Sequence, residues 1–211
     1  MKKIIICILI ICAFHQIKSQ IINEIKQVSG LCISKIDWSN KGTTQRFFDA
    51  KNIGIMTEIE ISYLKHKYWI INTGFNYTQR GGSKKYEIKS IDNPDGGIGQ
   101  DVYRFYFNYL SLKTTFRLKY PLGILIPSFY IGPRIDYLVS SSDSYKEFNK
   151  VNYGFDTGIE LFVSINDYFS TGVGYIYSYQ LKEIRNEDEV LSSINPIYCH
   201  IISFGIRVTL N

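Results

Sequence analysis

Histidine and cysteine are scarce in this sequence, three and four among 211 residues. That scarcity removes most metal-binding and nucleophilic chemistry at the outset. No pair of cysteines is spaced with histidines as a zinc site requires. There is also no apolar run long enough for a membrane-spanning helix. The charge-free stretch Ile4–Phe14 is the one candidate, and a span needs about 20 apolar residues. Beyond Gln20 no segment shows a sustained helical period. A strong charge of one sign is missing too, so a nucleic-acid binder is not expected.

What stands at the start is Met1-Lys2-Lys3 followed by the apolar run, the pattern of a secretory signal. We expect residues 1–19 to be a signal peptide, cleaved after Ser19, and residues 20–211 to be a single barrel domain. Ile11 precedes Cys12, where lipid attachment calls for a small residue, so lipidation is not expected. Losing Lys2, Lys3 and Lys18 leaves 21 basic and 19 acidic side chains, a net +2.

The remaining chain alternates with period two in eight segments, at about 27–38, 53–64, 68–79, 103–120, 128–139, 151–165, 168–182 and 198–210. Successive strand residues point to opposite faces. In the second segment Ile53, Ile55, Ile59 and Ile61 share one face, with Gly54, Glu58, Glu60 and Ser62 on the other. Gly74, Gly132, Gly154, Gly158, Gly172, Gly174 and Gly205 also fall on polar faces. Glycine relieves crowding on the inner wall of a narrow barrel, so the polar face is expected to be the lumen. Connections alternate long (39–52, 80–102, 140–150, 183–197) and short (65–67, 121–127, 166–167). Outer-membrane barrels have long extracellular loops and short periplasmic turns. Aromatics flank both ends: Tyr63, Tyr68, Trp69, Tyr120, Phe129, Tyr168 and Phe169 near the short turns, and Trp38, Tyr77, Tyr103, Tyr137, Tyr153 and Tyr179 near the long loops. Two interfacial girdles account for them. The expected fold is all-β, an eight-stranded antiparallel up-and-down transmembrane β-barrel of the bacterial outer membrane.

The opening Val28-Ser29-Gly30-Leu31-Cys32-Ile33-Ser34, the run Tyr109-Leu110-Ser111-Leu112-Lys113 through Tyr120, and Pro127-Ser128-Phe129-Tyr130-Ile131-Gly132-Pro133-Arg134 carry a family likeness. Over essentially the whole mature chain the sequence resembles the PorT-like outer-membrane β-barrel family. Most members have no assigned activity, and one branch is associated with a protein secretion apparatus. The acidic residue and proline that members commonly carry near Ser111–Thr114 are not present here.

Candidate chemistry is sparse. Only His66 and His200 follow the signal segment, one in a Lys-His-Lys turn and one on the lipid-facing list beside Tyr198 and Ile202. Neither has a serine in the pattern, as a lipid-modifying hydrolase would need. The acids Glu58, Glu60, Asp136, Asp156 and Glu160 share the inner face with Lys113, Arg117, Lys119, Arg134 and Arg207. Opposite charges in a narrow lumen are expected to neutralise one another. Asp92, Asp95 and Asp101 lack EF-hand spacing, and Glu187-Asp188-Glu189 reads as a solvated loop tip. Cys32 and Cys199 lie on the first and last strands, both inward, and could approach as a disulfide. No cofactor or metal is expected. The expected partners are outer-membrane lipid and proteins met by the extracellular loops, around a monomer. The function expected is a non-enzymatic outer-membrane role, structural, adhesive or linked to assembly and secretion. A lipid-modifying enzyme and a secreted, soluble lipocalin-like binding barrel are the alternatives.

Overall fold

The computed structural model describes residues 22–35, 38–40, 50–63, 66–89, 97–142, 148–181, 192–194 and 197–210. The expected signal peptide, Asp92, Asp95, the turn residues 93–96 and Glu187-Asp188-Glu189 lie outside the described residues. Strands are β1 (Glu24–Lys35), β2 (Trp38–Asn40), β3 (Ala50–Tyr63), β4 (Trp69–Lys89), β5 (Gly97–Lys119), β6 (Leu125–Ser141), β7 (Val151–Ser164), β8 (Phe169–Gln180), β9 (Ser192–Ile194) and β10 (Tyr198–Thr209). Eight close into an antiparallel barrel in the order β1-β10-β8-β7-β6-β5-β4-β3, while β2 pairs with β9 in a small separate sheet. Each of the eight segments read from the sequence contains a barrel strand, and Trp38, read as the end of the first, lies instead in β2.

The alternation of side chains sets the polarity of the wall. Along β3, Asn52, Gly54, Met56, Glu58, Glu60 and Ser62 are buried, and Ile53, Ile55 and Ile59 are exposed. The same holds around the ring: Ile159 and Ile202 are each 60 % exposed while Glu60 and Asp136 are fully buried. A soluble barrel would reverse this arrangement. Here apolar side chains face outward and charges face inward, which is stable only with lipid outside. The apolar belt runs from the row of Ile61, Ile25 and Val208 up to the row of Lys35 and Tyr198. The ten steps from Ile25 to Lys35, rising about 3.3 Å each and tilted about 40°, span roughly 25 Å, the height of an outer-membrane apolar band.

Short connections are tight. Gly123, with φ of 62°, turns the chain between β5 and β6 where Leu122 and Leu125 bridge. Between β7 and β8 the Asn166 Oδ1 accepts from the Tyr168 and Phe169 amides at 2.9 and 2.8 Å. At the opposite end the structure corrects the sequence. The expected loop over 80–102 is mostly strand: β4 and β5 stay paired from Trp69↔Leu118 to Lys89↔Gly97. Backbone pairing in water needs no apolar face, so the polar segment continues as a hairpin. Beyond Ser83, the first residue paired to β3, six more β4 residues project, roughly 20 Å of strand.

Candidate functional site: a charge-filled lumen

Inward residues of all eight barrel strands meet along the barrel axis. Lowest, near the short turns, Glu24 lies 3.1 Å from Lys119 Nζ and 3.6 Å from Arg207 Nη1. A cleft of about 400 Å³ at this mouth, lined in part by His66, Lys67 and Asp167, reaches the same three residues. Arg207 also covers the ring of Phe162, 4.5 Å from its centroid.

The middle layer is the densest. Lys26 Nζ bridges Glu60 Oε2 at 2.5 Å and Glu160 Oε1 at 2.7 Å. Arg117 reaches the same two acids at 2.6 and 3.3 Å. Lys113 contacts Glu58 at 2.8 Å, Glu60 at 3.3 Å and Asp156 at 3.9 Å. Tyr130 is fully buried among these cations, its ring centroid 5.8 Å from Lys26, 5.2 Å from Lys113 and 5.4 Å from Arg117. That ring needs Gly158: a Cβ there would sit 2.6 Å from Tyr130 Cζ.

Above this, Arg134 donates to Asp136 at 2.6 Å and also to Asp156 and Ser178. Arg80 completes the pairing of Asp136 at 2.9 Å and stacks over Tyr109. An apolar stopper closes the long-loop end. Phe105, Phe107, Tyr109 and Ile197 are buried together, with Leu138 and Phe148 against them. Phe107 meets Phe105 and Phe148 edge-on at 4.7 and 4.9 Å.

The inward residues read from the sequence thus occupy one ladder: Glu58, Glu60, Lys113, Arg117, Arg134, Asp136, Asp156 and Glu160 are joined through shared partners. Arg207 sits apart from that centre, paired with Glu24 at the short-turn mouth. Sequence reasoning missed Lys26, Arg80 and Glu24, which lie just past the strand limits drawn there. Their parity was the available signal, since Lys26 alternates with Val28 and Gly30, and Arg80 with Asn76 and Thr78. Tyr130, Phe105 and Phe107 were likewise on inward parity.

The disulfide expected between Cys32 and Cys199 is not formed; both are free, buried thiols in one cluster. Register explains this. Cys32 stands opposite Ile201, and Cys199 stands opposite Ser34, so the two are diagonal across the seam. Diagonal neighbours stand wider apart than directly opposed ones, and the two side chains approach as expected but meet through a thiol hydrogen bond.

Neither histidine faces a serine among the described contacts. His200 lies on the outer wall with Nδ1 2.5 Å from Tyr175 Oη. His66 stacks on Trp69 and its Nδ1 accepts from the Tyr68 amide. Asp101 is on the exposed hairpin, its Oδ1 accepting from the Val102 amide. Among the described residues no group of three or more His, Cys, Asp or Glu could hold a metal ion.

The fold is shared with Neisserial surface protein A, at a TM-score of 0.54 and 12% identity over 88% of this chain and 97% of that one. The outer membrane protein OprG of Pseudomonas aeruginosa aligns with a TM-score of 0.48 and 11% identity, over 91% of this chain and 99% of that one. Ail, the attachment invasion locus protein of Yersinia pestis, aligns with a TM-score of 0.41 and 13% identity, over 88% and 98%. No family profile matches the chain, and no curated protein does. At such identities the likeness is one of fold. With the inverted polarity of its wall, the chain is an eight-stranded β-barrel of the bacterial outer membrane.

Proposed function

We propose that this protein is a non-enzymatic, non-conducting barrel that works at the cell exterior through its β4/β5 hairpin and neighbouring long connections. The observation that carries this reading is a contrast between the filled lumen and the projecting hairpin. The lumen is filled by paired charges and stopped by Phe105 and Phe107, while the hairpin continues well past the rim. The hairpin runs past the last registered pairs of β4 with β3 at Ser83 and of β5 with β6 at Phe107, and projecting hairpin edges accept extended segments of other proteins. Adhesion or docking in an assembly is the role these edges suit. The PorT-like resemblance of the sequence supports the assembly and secretion form. Surrounding lipid and loop-bound proteins are its partners on this reading, and the barrel acts as a monomer. The absence of any serine beside His66 or His200 among the described contacts weighs against a lipid-modifying enzyme.

Replacing residues 84–103 by a short turn tests the proposal. The shortened barrel should still insert and show heat-modifiable migration. Cells carrying it should reproduce the secretion and surface-binding defects of a full deletion. Full retention of those functions by the shortened barrel would overturn the reading.

A further inference from the structure

The outer wall is not uniform at its long-loop rim. Ser34↔Asn52 is the last registered pair of β1 and β3, both buried. One step further stand Lys35 and Lys51, on the opposite, outward parity. Among the described residues neither has a carboxylate partner. Like charges gathered at one end of neighbouring strands repel, and cations at the edge of hydrocarbon cost more unless an anion meets them. Register then continues the row sideways: Lys35 pairs with Tyr198, and Tyr198 with Tyr179. Just below, Ile33 pairs with His200, and His200 with Tyr177.

His200 is held in an aromatic frame. Its Nδ1 is engaged by Tyr175 Oη at 2.5 Å, and its ring lies 6.0, 5.4 and 6.2 Å from those of Tyr175, Tyr177 and Tyr198. Among the described contacts its Nε2 is therefore the nitrogen left to a ligand. Beneath the frame the wall is apolar, with Leu31, Ile55 and Ile202 exposed. Roughly 25 Å of wall separates this rim from the short-turn girdle, which puts the patch at the headgroup level of the outer leaflet. The rim formed by β4–β6 carries Gln79, Asn108 and Tyr137 instead.

We propose that Lys35, Lys51 and His200, framed by Tyr175, Tyr177 and Tyr198, bind the phosphorylated sugar headgroup of an outer-leaflet glycolipid. The lysines meet phosphate, as charge-assisted donors do. The tyrosine rings, apolar in body and polar at the tip, cover the sugar. The acyl chains lie down the Leu31, Ile55 and Ile202 wall. The ligand is a membrane lipid and not free phosphate, because the patch continues directly into the lipid-facing surface.

Native mass spectrometry of the refolded mature barrel in detergent tests this, with bis-phosphorylated lipid A as probe. One lipid should be retained per barrel. Each lysine near an anionic lipid contributes about a fivefold gain, so the Lys35→Ala/Lys51→Ala double variant should retain lipid A roughly 30-fold less well. Dephosphorylated lipid A should bind wild type with a similar loss, and phosphatidylglycerol and inorganic phosphate should each displace lipid A poorly. Both lysines face outward, so heat-modifiable migration should be unchanged. Tyr198→Leu, which keeps both cations, should weaken retention by a smaller factor. Equal retention by the double variant, or of dephosphorylated lipid A, would overturn the phosphate contact. Displacement by equimolar phosphatidylglycerol or by inorganic phosphate would overturn the glycolipid assignment.

Discussion

Lys26→Met is the sharpest perturbation of the lumen. The change keeps a stem of similar length and removes only the ammonium, which lies 5.8 Å and 5.9 Å from the Tyr130 and Phe162 ring centroids. Glu60 loses a partner at 2.5 Å but keeps Arg117 at 2.6 Å and Lys113 at 3.3 Å. Glu160 loses its 2.7 Å partner and keeps Arg117 alone, at 3.3 Å. The uncompensated charge therefore falls mainly on Glu160. Removing one member of a buried pair costs about 3–5 kcal/mol. Because Glu60 keeps two cations and Glu160 keeps one, we expect the low end, about 3 kcal/mol. Adding Glu160→Gln removes the stranded charge, so the double variant should be more stable than the sum of the single changes predicts. A coupling of about 1–3 kcal/mol is expected. Urea titration of folding into lipid vesicles, followed by tryptophan fluorescence and heat-modifiable migration, measures all the required variants. Lys67→Met, at an exposed turn, is the control. If Lys26→Met were no worse than that control, or if the two lumen changes were additive, the pairing argument would fail.

Three further tests probe other parts of the wall. Ile159→Arg puts a cation on the lipid face and should cost about 2–4 kcal/mol near the midplane, read by the same titration; a neutral result would reverse the inside–outside assignment. Gly158→Ala should cost about 1–3 kcal/mol by overpacking, because the new Cβ meets the Tyr130 ring. The added Tyr130→Leu change should recover part of that loss, and a larger loss in the double variant would contradict the clash. Cys32 and Cys199, both fully buried, should resist a bulky maleimide in the folded barrel and both react after boiling in detergent, counted by mass. Labelling of the folded form would show a lumen more open than described.

Strand parity made most of this architecture legible in the sequence. Ile53, Ile55, Ile59 and Ile61 against Gly54, Glu58, Glu60 and Ser62 fix both faces of β3, because one residue of slip would reverse them all. The glycines followed the same logic, and Gly158 shows why: its missing side chain is filled by Tyr130. Strand ends were harder. Lys26 and Arg80 lie where apolar alternation fades, yet backbone pairing continues past it. For the same reason the hairpin beyond Ser83 read as a loop, since hydropathy reports what touches lipid and not what is hydrogen-bonded. The relation of Cys32 to Cys199 depends on pairing register across a seam joining the first and last strands. Residues far apart in sequence leave no local trace of such a register. The Lys35 and Lys51 juxtaposition was hidden for the same reason.

Paired charges and the Phe105–Phe107 cluster should seal the lumen. Single-channel recording of the purified monomer in a planar bilayer shows whether they do. Large aqueous channels require roughly 16–18 strands, so this barrel should give no steady conductance on the nanosiemens scale, with Lys26→Met producing at most brief openings. Stable nanosiemens conductance from the wild-type monomer would contradict the sealed lumen and make transport its function.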